Sequence, residues 1–336
     1  MTTTGSILVT GGAGYIGSHI VRQLVAAGFP VLAVDNLEKG HRAAVPEGVL
    51  RQVDLADQAA LDKLFASERV AGVIHMAAHS LVGESMACPA KYYRNNLANG
   101  LNLLETMQRH GVRRLVFSSS AAVYGEPQQA TIPETHPTEP TNTYGETKLA
   151  FERMLRWFDE AYGLRYVSLR YFNAAGADPA GDIGEDHDPE SHLIPLVFKV
   201  ALGQTPAIKV FGSDYPTPDG TAIRDYIHVS DLAAAHLLAF DHLLNGGASR
   251  VYNLGSEHGF SVLEVIEKAR AVTGRPIPVE MAGRRTGDPA VLVASAARAR
   301  AELGWRPAYA SLEAILETAW RWHSGHPQGF GDAGRG

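Results

Sequence analysis

Ser6-Ile7-Leu8-Val9-Thr10-Gly11-Gly12-Ala13-Gly14-Tyr15-Ile16-Gly17 reads as a short buried strand running straight into a glycine-rich turn, with a helical pattern over residues 18–27 behind it. Gly12, Gly14 and Gly17 fit G-x-G-x-x-G, while Gly11, Gly14 and Gly17 fit the related G-x-x-G-x-x-G. In either frame the backbone is free to approach a pyrophosphate at a helix N-terminus, where amide donors and the helix dipole favour negative charge. A second strand, residues 30–34, leads to Asp35, eighteen residues beyond Gly17. That is where a ribose-binding carboxylate belongs in a dinucleotide fold. Asn36 follows with no arginine beside it, so a 2′-phosphate would meet repulsion and NAD is favoured over NADP.

Outward from this start the pattern alternates. Strands are expected near residues 49–53, 72–76, 115–117 and 165–169, and helices over 58–67, 89–110 and 144–162. Apolar strands alternating with helices of this length predict an α/β fold with a doubly wound parallel (Rossmann) sheet. Ligands in such sheets lie beyond the carboxyl ends of the strands, where Gly12, Asp35, Ala77, Ser120 and Phe172 all fall. From Asn173 the chain turns to loops rich in Gly, Pro and Asp. The expected division is a dinucleotide-binding domain over 1–172, with about 225–252 returning to it, and a smaller interleaved cap over 173–224 and 253–330. Residues 325–336 read as a loose tail.

Tyr144-Gly145-Glu146-Thr147-Lys148 places a phenol and an ammonium one helical turn apart, shortly after Ser118-Ser119-Ser120. A free phenol, with a pKa near ~10, is a poor base at neutral pH, but a cation about 4–6 Å away favours the phenolate. At an effective dielectric of ~20 that is worth roughly 3–4 kcal/mol, or about 2–3 pKa units. Tyr144 is thus expected to act as a general acid/base assisted by Lys148.

Composition excludes several classes. A net charge of −6, with Lys and Arg scattered, offers no field for nucleic acid. One cysteine, Cys88, excludes an intrachain disulfide and fits a reducing, cytoplasmic compartment. The apolar stretch at 232–240 is interrupted by His236 and too short for a bilayer, and residues 1–6 lack an apolar leader, so no membrane is expected. The fourteen histidines form no His-Glu-x-x-His or comparable pattern, and no metal is expected. His75, ending an apolar strand, reads as a packed structural residue. Helices 89–110 and 144–162 carry Leu97, Leu101, Leu104, Met107 and Phe151, Met154, Leu155, Phe158. Packing on the sheet is the simpler reading of these faces; a shared dimer interface is the sharper one, and a homodimer is expected.

Taken together, the glycine turn, Asp35-Asn36-Leu37, Val82-Gly83-Glu84-Ser85, Phe117 through Gly125, Tyr144 through Lys148 and Arg170-Tyr171-Phe172-Asn173 resemble the extended short-chain dehydrogenase/reductases. Arg224-Asp225-Tyr226-Ile227-His228-Val229, Tyr252-Asn253-Leu254-Gly255 and Arg284-Arg285-Thr286-Gly287-Asp288 narrow the likeness to the UDP-glucose 4-epimerase family, from about Ile7 to the His326-Pro327-Gln328-Gly329 tail. The resemblance implies that Ser120, Tyr144 and Lys148 are catalytic. Tyr144 would take the proton of the sugar 4′-hydroxyl, Ser120 would bond the same oxygen, and Lys148 would lower the phenol pKa and hold the nicotinamide ribose. It implies NAD contacts at Gly11, Gly12, Gly14, Tyr15, Ile16, Gly17, Asp35, Asn36, Asp54 and Leu55, then at Met76, Ala77, Ala78, Ser80, Asn95 and Phe172. UDP-glucose or UDP-galactose would meet Asn173, His192, Leu193, Lys209, Phe211, Arg224, Arg285, Asp288 and Leu292. Guanidinium groups suit a diphosphate because they bond it in bidentate fashion, and Asp288 can accept ribose hydroxyls.

Three positions depart from the best-known bacterial pattern: Ser80 where many relatives have lysine, His192 where an asparagine touches the donor, and Leu292 where the sugar pocket has tyrosine or cysteine. Within the same scaffold a 4,6-dehydratase needs an Asp-Glu pair where Ala121 and Ala122 stand, so elimination lacks its proton carriers. An epimerase of UDP-N-acetylglucosamine or UDP-glucuronate is a further alternative. An NAD-sensing regulator would be expected to have lost part of the Ser-Tyr-Lys set, which this chain keeps.

Overall fold

Ile7 and Val9 contribute to one apolar core and Leu8 to another, and all three are fully buried. A strand hidden on both faces needs helices above and below it. The computed structural model describes residues 4–129, 131–285 and 288–331. Strands β1 (Ser6–Thr10), β2 (Val31–Asp35), β3 (Leu50–Gln52), β4 (Val70–His75), β5 (Arg114–Ser118) and β6 (Arg165–Tyr171) alternate with helices α1 (Tyr15–Ala26), α2 (Gln58–Ser67), α3 (Val82–Ala87), α4 (Pro89–Tyr92), α5 (Asn99–Arg109) and α6 (Thr143–Tyr162). After them come β7 (Asn173–Ala175), α7 (Leu193–Ala201), β8 (Ile208–Phe211), β9 (Ile223–His228), α8 (Val229–Leu244), β10 (Arg250–Leu254), β11 (Gly259–Ser261), α9 (Val262–Thr273), β12 (Val279–Ala282), β13 (Val291–Leu292), α10 (Ala297–Glu302) and α11 (Leu312–Gly325).

Seven strands form one parallel sheet in the order β10-β6-β5-β4-β1-β2-β3. The winding reverses between β1 and β4, which opens a crevice at their carboxyl ends. One face is covered by α1 and α8 through Ile20, Leu24, Leu232 and Phe240, the other by α2, α5 and α6 through Leu61, Leu104, Phe151 and Leu155. The fold is therefore the doubly wound parallel α/β class that the alternation predicts. The apolar faces of the two long helices mostly pack on this sheet, as the simpler reading has it, although Leu101 stays 37% exposed.

Three local differences matter for the site. The helix expected over 89–110 is broken: α4 passes into a π-helical turn at Tyr93–Ala98 before α5 begins. Such turns insert a residue and re-aim side chains, here Asn95 and Asn96. The region beyond Asn173 is not loops alone, because β9 gathers β7, β11 and β13 into a small sheet and β8 pairs β12. The tail is docked as far as Phe330, whose ring lies 4.7 Å from Trp322 and 4.6 Å from His41; residues 332–336 lie outside the described residues. A third core of α7, α9, α11, β8 and β9 residues backs the small sheet. Among the described residues, no helix is long and apolar enough to cross a membrane.

Candidate active site

The turn after β1 is tight for a reason visible in its glycines. Gly11 has φ +65°, and a Cβ on Gly17 would lie 2.0 Å from the Gly11 carbonyl oxygen. No side chain caps the start of α1 at Gly14 and no acidic residue sits in its first turn, so its amides and dipole keep their preference for an anion. Asp35, buried at the end of β2, accepts from Ala13 N–H at 3.0 Å and Leu37 N–H at 2.8 Å, which ties the carboxylate to the same turn. Asn36 donates to Asp54 Oδ2 at 3.0 Å. This cradle fits a dinucleotide.

The cradle opens into a cavity of about 750 Å³ running from β2 to β13. Of the expected cofactor contacts, Gly11, Gly14, Tyr15, Ile16, Gly17, Asp35, Asn36, Asp54, Leu55, Met76, Ala77, Ala78, Ser80, Asn95 and Phe172 line it. Gly12 does not: its Cβ position is 2.8 Å from Ala33 Cβ and 2.9 Å from Val9 O, so this glycine serves packing of the turn on the sheet. Ser120, Tyr144 and Lys148 line the middle. Asn173, His192, Arg224, Asp288 and Leu292 line the far end. Leu193, Lys209, Phe211 and Arg285 fall outside the lining. Lys209 is exposed on β8, and Arg285 is exposed with its guanidinium 3.9 Å over the Phe211 ring. Thr286 and Gly287 lie outside the described residues.

Helix α6 presents the central pair. Asn142 caps it by accepting from Gly145 N–H at 2.8 Å, and Ser85 accepts from Tyr144 N–H at 3.2 Å. Lys148 Nζ lies 5.7 Å from the Tyr144 ring centroid, on the same face, but it donates to Ser118 O at 2.8 Å. Burial raises the Tyr144 phenol above its ordinary value, with the Ser120 hydrogen bond pulling the other way. Burial also lowers Lys148 to about 7, against the opposing charge of Glu152. In the folded chain, desolvation of the phenol opposes the lowering expected from Lys148. Lys148 gives one of its three ammonium donors to the Ser118 carbonyl, and burial is the larger influence on the Tyr144 phenol.

Behind these groups lies a buried scaffold. Arg170 donates to Glu152 through Nε at 2.9 Å and Nη2 at 2.5 Å, and Ser119 Oγ donates to Glu152 Oε1 at 2.5 Å. Arg170 Nη1 reaches Tyr124 OH at 2.9 Å, and that hydroxyl donates to Asn253 Oδ1 at 2.6 Å. Motif residues Arg170, Tyr124 and Asn253 thus brace β5, β6, α6 and β10 against one another. Asn96, re-aimed by the π turn, donates to Thr147 Oγ1 at 3.0 Å and to His79 O at 3.1 Å, locking α6 to the segment after β4. Spacing alone does not reveal either network. His75 is packed as expected, with Nδ1 2.7 Å from Thr10 Oγ1 and its ring against both Phe117 and Phe151.

At the far end Arg224 Nη2 bonds Asp288 Oδ1, and Arg224 Nη1 donates to Ile223 O at 2.7 Å. The arginine expected for a diphosphate and the aspartate expected for a ribose are thus paired with each other. Leu292 and Phe172 both pack against a small cluster that includes Ala121, Ile132 and Leu149. A feature without counterpart in the sequence reading is a knot formed by Glu185, His187, Glu190 and His192. Burial alone would lower both imidazoles; the glutamates outweigh it and lift His187 to about 9 and His192 to about 10. Its one visible sequence signal is a doubled Glu-x-His, five residues apart.

Residues 7–255 match the model of the NAD dependent epimerase/dehydratase family. A UDP-glucose 4-epimerase of Halalkalibacterium halodurans is 57% identical over 325 residues, covering 97% of each chain. A solved UDP-glucose 4-epimerase from Brucella ovis in complex with NAD superposes with a TM-score of 0.92 at 46% identity, over 94% of this chain and 98% of that one. One from Bifidobacterium longum in complex with NAD+ and UDP gives 0.92 at 41%, over 97% and 100%.

Proposed function

The chain belongs to the NAD dependent epimerase/dehydratase family, and we propose that it is a UDP-glucose 4-epimerase, an isomerase interconverting UDP-glucose and UDP-galactose through a 4-keto sugar, with NAD as cofactor. The observation that carries the proposal is one continuous cavity joining the glycine turn and Asp35, the Ser120–Tyr144–Lys148 set, and the Asn173–Arg224–Asp288–Leu292 wall. Bound NAD supplies a reversible two-electron acceptor for a sugar carbon. Gly11, Gly14 and Gly17 bring backbone amides to its pyrophosphate, while Asp35 reads the ribose hydroxyls. Tyr144 removes the 4′-hydroxyl proton and later returns it, and Ser120 bonds the same oxygen. Lys148 supports the phenolate in its charged form, and its buried site excludes water.

Arg224 and Asp288 hold the UDP part, exchanging some of their mutual pairing for ligand contacts, and His192 adds a cationic imidazole at the start of α7. Leu292 walls the sugar pocket with less bulk than a tyrosine, which favours some acceptance of UDP-N-acetylglucosamine. Ala121 and Ala122 offer no carboxylates, which favours epimerisation over elimination. On this reading residues 1–172, with the return through α8 and β10, carry NAD, and the small-sheet regions within 173–224 and 253–330 carry the UDP-sugar. The cytoplasm is the proposed compartment, supported by the lone free Cys88. A homodimer through α5 and α6 is supported by exposed Leu101, Trp157 and Tyr162.

The test is incubation with UDP-galactose deuterated at C4. UDP-glucose that retains the label, without net NADH release, is the expected result; label lost to solvent, or no UDP-glucose, overturns the reading.

A further inference from the structure

The segment between β7 and α7 gathers four potential metal ligands around the buried Glu185. The ligand atoms of Glu185, His187, Glu190 and His192 all lie within 4.8 Å of one another. Glu185 Oε1 is 2.7 Å from His192 Nδ1 and 3.2 Å from His187 Nδ1; Glu190 Oε1 is 3.2 Å from His192 Nδ1, and its Oε2 3.7 Å from His187 Nδ1. These contacts are close ion pairs whose alignment falls short of directed hydrogen bonds at two of the buried atoms. Glu185 is 4% exposed, yet its Oε1 has no hydrogen-bond partner, and neither does buried His187 Nδ1. Both atoms are held by charge contacts without a well-aligned hydrogen bond, an arrangement that a cation between them satisfies more fully.

The knot is also built from outside. Trp322 Nε1 donates to Glu185 O at 3.0 Å, while the neighbouring Gly184 leaves no room for a Cβ against the indole. Glu190 Oε1 accepts from the backbone N–H groups of Ser191 and His192 at 2.7 and 2.8 Å. The His187 ring sits edge-on to Tyr15 and 5.2 Å from the His192 ring. These contacts position the side chains; on Glu190 they fall on Oε1 and leave Oε2 without a backbone partner.

We propose that Glu185, His187, Glu190 and His192 form a binding site for a divalent transition-metal ion of the zinc type. Two imidazole nitrogens with two carboxylate oxygens match zinc and its neighbours, whereas magnesium and calcium take oxygen alone. A tetrahedron with bonds of about 2.1 Å has edges of roughly 3.4 Å, within the span of these four atoms. The ion satisfies both unpartnered buried atoms and ties the segment to α7 and, through Tyr15, to the glycine turn. A histidine that ligates through Nδ1 is neutral but keeps its Nε2 proton, so His192 can still donate a hydrogen bond toward the donor, with the ion in place of the imidazolium as the positive charge. The site's role is to fix the cavity wall; it stands or falls independently of the sugar substrate.

The test uses the untagged full chain, stripped by a chelator and exchanged into metal-free buffer at pH 8, where protons compete less. Zinc chloride alone is titrated calorimetrically, and bound zinc is counted by mass spectrometry after gel filtration. One zinc per chain is expected, with affinity falling at least ~100-fold in Glu185→Gln and in His187→Gln, since loss of an outer-shell partner already costs 10–100-fold. Absence of stoichiometric zinc in the unsubstituted chain, or equal zinc in the chain and both variants, overturns the proposal. If either variant fails to fold, cobalt(II) titrated into the unsubstituted chain decides: a tetrahedral visible spectrum supports the site and an octahedral aqua-like one overturns it.

Discussion

Gly17→Ala isolates what the first turn does. Its new methyl would stand 2.0 Å from the Gly11 carbonyl oxygen, 2.9 Å from that carbonyl carbon and 3.0 Å from Gly12 Cα. All three are backbone atoms, so no flexible side chain can give way. Carbon–oxygen contacts settle near ~3.3 Å or beyond, so the turn and the first turn of α1 must part by more than ~1 Å. Overpacking costs typically about 1–3 kcal/mol, and alanine's better helix propensity returns up to ~1. A net loss of about 1–2 kcal/mol, a few degrees in Tm, is expected for the NAD-free protein. NAD affinity falls further. The displaced amides lose hydrogen bonds to a charged group, each worth about 1.5–3 kcal/mol, so one lost bond weakens binding at least ~10-fold. Gly14→Ala is the control, because its methyl would have a single neighbour at 3.4 Å, Gly11 O. It should leave NAD-free stability within ~1 kcal/mol, the scale of an N-cap change, while its methyl intrudes on the cavity side and still weakens NAD. Thermal melts with and without NAD, and fluorescence titration of NAD, separate the two variants. Equal stability losses in both, or unperturbed melting and NAD binding in Gly17→Ala, would refute the reasoning.

Tyr144→Phe should lower turnover at least ~10²-fold while NAD stays bound, the scale of a lost general acid/base; near-normal turnover on UDP-galactose would remove Tyr144 from the chemistry. Leu292→Tyr should depress kcat/KM for the N-acetylated UDP-sugar pair by roughly 10–100-fold, and that for the plain pair within about threefold, because a clash of about 1–3 kcal/mol falls on the C2 substituent. Equal effects on both pairs would show that Leu292 is not the wall that matters. Burial lowers His75 to about 3, so the folded state keeps it neutral while the unfolded chain, near ~6.5, takes a proton as pH falls. The unfolded state then binds more protons below ~6.5, and stability drops toward acid by about 2 kcal/mol per residue between pH 6.5 and 5. Urea unfolding of His75→Gln at these two pH values should show a decline smaller by about that amount; an unchanged decline would count against His75.

The parts of this protein legible in its sequence are those set by neighbours along the chain. The β1–turn–α1 start, Asp35 at the end of β2, α2 over Gln58–Ser67 and the one-turn spacing of Tyr144 and Lys148 follow from apolar period, glycine placement and helical pitch. Much of the candidate lining was legible for the same reason, since strand ends in a parallel sheet converge on one edge. The exceptions are instructive. Gly12 serves the sheet because of Ala33, a residue of another strand, and Arg285 stacks on Phe211 outside the cavity. The break between α4 and α5 carries no glycine or proline mark of its own; the bonds of Asn96 to His79 and Thr147 accompany it. Lys148 turned to the Ser118 carbonyl, Arg170 locked on Glu152, and the gathering of Glu185, His187, Glu190 and His192 belong to the tertiary structure. Local propensity acts within a few residues, whereas desolvation and charge pairing depend on which distant segments the fold brings together and how much water it leaves between them.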